Sequence, residues 1–411
     1  MAKLKGFQEL TSIDEALRNF FGALETKKPR TVPIVLDKAL GRVLAETITA
    51  KEDLPRVDRS AMDGYAVRAK DTFGTSQFKP KILTLTESRI VSTKCARRLW
   101  TGNSLPKGAN AVAILENTKQ IDDKIEVWTP LAPGENVSKR GEDIKRETIA
   151  VEAGIRLKPQ HLGLIAAVGA SEIKVFEEPR IAVFSTGNEL AEVGADRQKD
   201  QIFDANRHAI MAACQELGAR PLDLGIAKDD FEEIRERVHR SLQSDATIST
   251  GGTSVGGSDL MPEVINELGR PGVVVHGIAM RPAMPTALAV VNGKPIMIFP
   301  GNPVAAMIAF EVFARPLICK LVGLSHAEAR PTLTAKMTKR IATTLGRRTF
   351  VRVRVFQRNG EHFADPVSAK GSGVISTMTK SNGYTIVPEN REGVEKGESV
   401  LVHLFDVVGE A

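Results

Sequence analysis

The sequence predicts a multidomain α/β protein organised around a doubly wound, mostly parallel sheet, and three observations carry that prediction. Over residues 179–327, short apolar runs alternate with segments of helical period. They read "RIAVFST", "DANRHAIMAACQELG", "RPLDLGIA", "DDFEEIRERVHRSL", "DATIST", "DLMPEVINELG", "GVVVHGIA", "TALAVV", "PIMIFPG" and "NPVAAMIAFEVFARPLICKLVG". Alternation of this length implies right-handed crossovers in an open parallel sheet. On either side the pattern changes to β-branched pieces separated by Pro and Gly. Finally, 411 residues exceed what one core of ordinary size accommodates.

The elements follow in chain order. Ser12 with Glu15 forms a capping box, and Ile13, Leu17, Phe20, Phe21 and Leu24 mark one face of an opening helix. Residues 51–141 read as a β-rich insertion, with "KPKILTLTES", "ANAVAILEN" and "DKIEVWTPL" as strands. In the doubly wound segment Phe231, Ile234, Val238 and Leu242 keep helical spacing, so the alternation reflects real helices. From 328 to 411 the pattern is strand again ("TLTAKMTKRIATT", "RTFVRVRVFQRNG", "YTIVPENREG", "ESVLVHLFDV"), which predicts a small C-terminal β domain.

Composition narrows the function. With 56 Lys+Arg against 50 Asp+Glu, the charges are interleaved, and two Tyr and two Trp offer little for stacking bases. That argues against nucleic acid and fits small anionic ligands. Cys95, Cys214 and Cys319 are too far apart for a CxxC site and read as buried thiols in a reducing compartment. The start "MAKLKGF" lacks a signal-like apolar segment, and the longest apolar run is broken by Glu311 and Arg315. The expectation is a cytoplasmic protein that does not enter a membrane.

The glycine-rich stretch "STGGTSVGGSD" (249–259) matches neither a Walker A sequence nor a GxGxxG fingerprint. Its place between a predicted strand and helix is still that of an anion site, where glycines let backbone N–H groups approach a phosphate. The tripeptide Ser-Thr-Gly recurs in "FSTG" (184–187), so Ser185, Thr186 and Gly187 join Gly251, Gly252, Ser254 and Gly256 as candidate ligand contacts. Both loops leave the carboxyl ends of strands, where doubly wound sheets bind ligands. Glu189, Asp204 and Asp259 crowd them. Asp204 and Asp259 read equally as helix caps or, with Glu189, as ligands of a divalent cation such as Mg²⁺. "FPGNPVAA" (299–306) places Pro300 and Asn302 at a third strand end, with Asn302 as a cap, and Asp63-Gly64 in "DRSAMDGYAVR" reads as a hairpin turn.

Read together, "SAMDGYAVR", "RRLWTGNSLPKGANAV", "NVSKRGEDI", "RIAVFSTGNEL", "DANRHA", "STGGTSVGGSD", "FPGNPVAA", "GRRTFVRV" and "GSGVISTM" resemble, in order and over nearly the whole chain, the MoeA family of molybdopterin molybdenumtransferases, related to the gephyrin E domain. The resemblance implies four domains in an elongated homodimer. They are a discontinuous N-terminal domain (1–50 and 142–178), the insertion (51–141), a doubly wound, adenylyltransferase-like molybdopterin-binding domain (179–327) and a C-terminal β domain (328–411). It implies hydrolysis of adenylylated molybdopterin with loss of AMP, and transfer of metal from molybdate to the dithiolene. The upstream partner would be a molybdopterin adenylyltransferase.

It further assigns Asp63, Thr101, Asp143, Glu189 and Asp259 to catalysis, the first three reaching the site across the dimer interface. Mg²⁺ and phosphate fall to Glu189, Asp204 and Asp259. Arg347, Arg348 and Ser372 match positions associated with molybdate, and Arg281 and Pro285 belong to the same half of the site. Where the family reads Lys-Pro-Gly-Lys-Pro, this chain has Arg281-Pro282-Ala283-Met284-Pro285. Met284 cannot bind an oxyanion electrostatically, and Ala283 restricts a backbone that glycine leaves free. Two alternatives follow: a paralogue with altered oxyanion preference, such as tungstate, or a non-catalytic gephyrin-like scaffold.

Overall fold

A computed structural model describes residues 10–25, 29–252, 260–368 and 371–410. The chain divides into two compact units, one of residues 33–175 and one of residues 1–32 with 176–411.

The 33–175 unit is built on a six-stranded sheet in the order Ala111–Ile114, Gly64–Val67, Cys95–Leu99, Lys81–Leu85, Lys124–Val127, Thr118–Ile121. Neighbours are antiparallel except Lys81–Leu85 with Cys95–Leu99. Short strands with one apolar face form it, and Tyr65, Val67, Leu83, Ala96, Ile125 and Val127 meet in its core. In the same unit Ile48–Thr49 pairs with Ile149–Val151, and Val43 and Leu44 bridge to Arg156 and Val175.

Residues 1–32 group with residues 176–411. The cause is the helix Ile13–Ala23. Ser12 Oγ caps it by accepting from the Glu15 N–H at 3.3 Å, and it buries Ile13, Ala16 and Phe20. Its stripe packs on strands Pro271–His276 and Ala287–Val291. Backbone bonds fix it there: Thr11 N–H donates to the Gly277 carbonyl (3.1 Å), and Ala279 N–H to the Thr11 carbonyl (2.8 Å).

In the larger unit the doubly wound sheet comprises β1 (Arg180–Thr186), β2 (Arg220–Ala227), β3 (Ala246–Thr250), β4 (Pro271–His276), β5 (Ala287–Val291) and β6 (Lys294–Phe299). Their order is β2-β1-β3-β6-β5-β4. The first four are parallel, while β5 runs antiparallel to both its neighbours. Helices α1 (Ala205–Glu216), α2 (Phe231–Ser241), α3 (Leu260–Leu268) and α4 (Pro303–Ala309) follow strands. They cover the sheet, so β3 and β5 are buried at every position and read as unbroken runs rather than alternations. The core joins Phe184, Ile234, Val238, Met261, Ile265 and Ile298, each contributing about 1.5–3 kcal/mol by burial. Strand order reverses between β1 and β3, which makes their carboxyl ends the switch point.

The C-terminal strands Thr332–Met337, Arg348–Arg358, Glu361–Ser368, Gly383–Val387 and Ser399–Leu404 each pair with two others and close into a five-stranded barrel. Met337, Val351, Val353, Val355 and Val402 fill it. Met280–Arg281 adds to the barrel by pairing in parallel with Arg348 and Thr349. The segment Arg281–Pro285 is therefore stitched to the barrel as well as to the doubly wound domain.

Glu311, with a side chain 7% exposed, accepts from Arg315 Nε and Arg330 Nη2, both at 2.8 Å. Burial pushes its pKa up, but the hydrogen bonds from Arg330 and Arg315 outweigh burial and hold it below the ordinary value. A depressed carboxylate stabilises the fold above its unfolded pKa and loses that contribution as pH falls through the folded value. Glu311→Gln, which strands two buried guanidiniums, will cost about 2–3 kcal/mol at pH 7 in a denaturant titration. The difference from the parent will shrink as the pH falls below 4.

Candidate functional site

At the switch point a cavity of about 270 Å³ is lined by Thr186, Glu189, Leu190, Ile202, Asn206, Thr250, Gly301 and Asn302. Its walls are the carboxyl ends of β1, β3 and β6. The recurrent Ser-Thr-Gly tripeptides meet here, because Ser185 lies opposite Thr250 across β1 and β3 and their hydroxyls are 2.8 Å apart. Ser185 is fully buried in this bond, so it braces Thr250 rather than facing a ligand, contrary to the sequence expectation. The buried Thr186 Oγ1 finds no hydrogen-bond partner among the described residues. A polar atom buried without a partner costs about 1–3 kcal/mol, a cost that a bound ligand or ion offsets.

The cavity floor needs glycine. Gly251 has φ +94°, and a Cβ there would stand 2.3 Å from the Thr186 carbonyl oxygen. Its N–H donates to the Phe299 carbonyl at 2.9 Å and so ties β3 to β6. Gly252, at φ +67°, would drive a Cβ to 2.7 Å from Met261 Cγ. Glu189 lies over Gly187, its Oε2 2.6 Å from where a Cβ would sit. Ser254, Gly256 and Asp259 lie outside the described residues.

At Asp204 the cap, one of the two readings the sequence offers, is formed. Only 2% exposed, it caps α1 by accepting from the Arg207 N–H (3.1 Å), and its other oxygen stands 3.4 Å from Arg207 Nε. The equally buried Arg207 also binds Glu192 and lies 3.3 Å from Asp223. One oxygen thus caps α1, while Oδ2 faces Arg207 as an ion-pair partner without a hydrogen bond among the described residues. Sequence reading missed Asn206 beside it, whose Nδ2 donates to the Gly301 carbonyl at 2.7 Å. It also missed Asp229, which exchanges backbone-to-side-chain bonds with Asn188 (3.2 and 3.3 Å) and pins the β1 and β2 loops together. Among the described residues no three His, Cys, Asp or Glu side chains cluster closely enough to hold a metal alone.

A second cavity, of about 340 Å³, lies between the doubly wound domain and the barrel. The whole segment Arg281–Pro285 lines it, with Pro300, Asn302, Arg347, Arg352 and Ser372. Arg352 was not foreseen, since period-2 reading of "RTFVRVRVF" makes it one more polar alternation. In the structure it is 3% exposed, and burial lowers its pKa, so the folded protein holds its charge at a desolvation cost. Arg348 does not line the cavity. Its guanidinium binds Asp14 (2.9 Å) and Glu389 (3.1 Å), whose hydrogen bonds raise its pKa and fix it as a structural ion pair. Ala283 sits at φ +76° and is 4% exposed, a left-handed conformation in a buried alanine. Ala283→Gly will therefore raise stability by about 0.5–1 kcal/mol: relief of about 1–2 kcal/mol of strain exceeds the added unfolded-chain entropy. Chemical denaturation measures it.

Asn302 lines both cavities. It holds the N-cap position of α4, yet its side chain makes no capping bond. The amide is available to a ligand, unlike the cap expected from sequence.

Asp63, Thr101 and Asp143 belong to the 33–175 unit. Asp63 Oδ1 accepts from both the N–H and the hydroxyl of Thr101, each at 2.7 Å, and these two bonds hold its carboxyl below the usual range. Asp143 is exposed, its N–H donating to the Leu54 carbonyl at 3.1 Å.

A polar cavity at a switch point and a second one lined by guanidiniums stand where α/β proteins of this architecture take up ligands. Comparison with known proteins sharpens the class. Residues 11–169 match the MoeA N-terminal region (domain I and II), 182–320 the "Probable molybdopterin binding domain" and 334–405 the MoeA C-terminal region (domain IV). A Methanocaldococcus jannaschii relative, named for molybdopterin biosynthesis, is 38% identical over 93% of this chain and 93% of its own. The Haemophilus influenzae molybdopterin molybdenumtransferase is 31% identical over 90% of this chain and 93% of its own. Two crystal structures of the molybdopterin biosynthesis MoeA protein of Pyrococcus horikoshii superpose with TM-scores of 0.79 and 0.83, at 32% and 29% identity. Each covers 97% of this chain and 100% of its own. The chain belongs to the MoeA family.

Proposed function

We propose that the protein is a molybdopterin molybdenumtransferase that hydrolyses adenylylated molybdopterin, releasing AMP, and transfers metal from molybdate to the dithiolene. The observation carrying this reading is that Asn302 lines both cavities, so a phosphate group in one and an oxyanion in the other share a contact.

In the switch-point cavity the Thr186 hydroxyl and the Asn302 amide donate to phosphate oxygens, and the Gly251 turn keeps the backbone clear of them. Hydrolysis forms a P–O bond to water and breaks the phosphoanhydride P–O bond, the water's two protons passing to solvent, and leaves AMP and the molybdopterin phosphate as dianions. The oxygen donors Glu189 and Thr186, the latter with a buried hydroxyl that has no hydrogen-bond partner among the described residues, fit a hard cation such as Mg²⁺, which binds through few carboxylates plus substrate phosphates. When bound, that ion supplies neutralisation of charge on the phosphate oxygens. In the second cavity Arg281, Arg347 and Arg352 offer forked N–H donors to a tetrahedral oxyanion. Met284 lines it without charge, so recognition rests on the three arginines.

The protein works as a homodimer. The test is reconstitution: purified protein given adenylylated molybdopterin, Mg²⁺ and molybdate will yield cofactor that activates a molybdenum-free apoenzyme. Failure to yield it, with substrate intact, refutes the reading.

A further inference from the structure

Among the described residues lining the switch-point cavity, Leu190 and Ile202 alone carry aliphatic side chains, and both come from one ribbon. Strand Leu190–Ala191 pairs in parallel with Ile202–Phe203, and the register sets Leu190 opposite Ile202. Side chains paired in register share a face, so these two form one apolar wall. Alternation sends Ala191 and Phe203 to the other face, where the Arg197 guanidinium lies 5.0 Å from the Phe203 ring centroid.

The wall is anchored through both strands. Ile202 N–H donates to the Glu189 carbonyl (2.8 Å), and Asp204 N–H to the Ala191 carbonyl (3.0 Å). Just past Ala191, Glu192 clasps the buried Arg207 of α1, Oε1 accepting from Nη1 at 3.0 Å and Oε2 from Nη2. Ile202 is nevertheless 54% exposed. An aliphatic side chain held beside a polar cavity leaves in water a surface that gains by being covered.

We propose that Leu190 and Ile202 are the ring-binding wall of this cavity, taking the flat face of a nitrogen heterocycle, the purine or the pterin of the adenylylated substrate. This rests on the function proposed above. The polar side of the cavity suits the phosphate, and a flat ring face is the part of that substrate that gains by leaving water. Aliphatic side chains meet either heterocycle alike, so the wall favours a ring over no ring. Because the ribbon is fixed beforehand, binding bears little of the cost of ordering it.

Calorimetry on the full-length protein tests the wall with three probes: AMP, neopterin monophosphate, and ribose 5-phosphate, which carries a phosphate and no heterocycle. At least one ring probe will bind about tenfold or more tightly than ribose 5-phosphate, and whichever does so identifies the ring. Ile202→Ser will reduce affinity for that probe about tenfold and leave ribose 5-phosphate unaffected, and Ile202→Leu will restore it. The exposure of Ile202 means that neither variant opens a core, and circular dichroism confirms that both fold. Equal affinity of the parent for all three probes overturns the wall. So does Ile202→Ser if it costs nothing, or if its loss falls equally on ribose 5-phosphate. If the parent releases AMP from the full substrate without any ring preference, the proposed function stands and only the wall falls. If ring preference holds and the parent releases no AMP, the wall stands and the function falls.

Discussion

Arg347→Ala will lower kcat/KM for molybdate about 100- to 1000-fold while the protein folds as before. Arg347 lines the cavity between the doubly wound domain and the barrel and is only partly buried, so truncation removes a donor without opening a core. Loss of one preorganised donor to a developing or bound anion costs about 2.7–4 kcal/mol. Arg281 and Arg352 remain, and the three act on one ligand, so the double variant Arg347→Ala, Arg352→Met will lose less than the product of the single losses. Removing Arg348, bound instead by Asp14 and Glu389, will leave the molybdate dependence unchanged. Steady-state kinetics at varied molybdate separates the two arginines, which adjoin in sequence and differ in employment.

Gly251→Ala is the second large effect. A methyl group placed 2.3 Å from the Thr186 carbonyl must move either β3 or β1, and φ +94° adds strain of about 1–2 kcal/mol. The displacement falls on Thr186 and on the Gly251–Phe299 bond, so both walls of the switch-point cavity shift. Misplacement by about 1 Å costs on the order of 100-fold in turnover. Thermal unfolding will show a modest loss of stability, and activity a much larger one. Gly41, also at positive φ but with open space around its missing Cβ, is the control: Gly41→Ala carries the strain without the clash and will leave turnover intact.

The doubly wound domain was legible because its signals are local. β3 and β5 read as unbroken apolar runs since helices cover both faces, and α2 carries its period in Ile234 and Val238. The recurrent Ser-Thr-Gly pointed to adjoining strand ends before any register was known. Pairings between distant segments were not legible. Nothing in Ile13, Ala16 and Phe20 states which surface their stripe covers, and it proved to be the antiparallel edge. Nor does local pattern separate Asp204, a cap held by Arg207, from Glu189, a carboxylate on the cavity. Both are acids after a strand, and only the buried guanidinium three residues on distinguishes them. Arg352 was hidden for the converse reason: in a closed barrel, alternation does not reveal which polar position turns toward a neighbouring domain.

The segment Arg281–Pro285 departs from the Lys-Pro-Gly-Lys-Pro that the resemblance leads one to expect, and hydrogen bonds fix its shape. Ala283 adopts the left-handed conformation that glycine takes without strain, held by the Thr286 hydroxyl donating to its carbonyl at 2.8 Å and by the Ile278 N–H donating to the Met284 carbonyl at 2.8 Å. Loop shape is thus maintained by hydrogen bonds, and charge at this cavity is supplied by Arg281, Arg347 and Arg352 without a lysine at 284.

The coupling of the two cavities is tested most directly by the rate of AMP release from adenylylated molybdopterin as molybdate is varied. In the parent protein, molybdate will accelerate release saturably, and Asn302→Ala, which removes the side chain common to both cavities, will abolish the acceleration while substrate binding persists. AMP release that ignores molybdate, or an acceleration that survives Asn302→Ala undiminished, contradicts a single site built from both cavities.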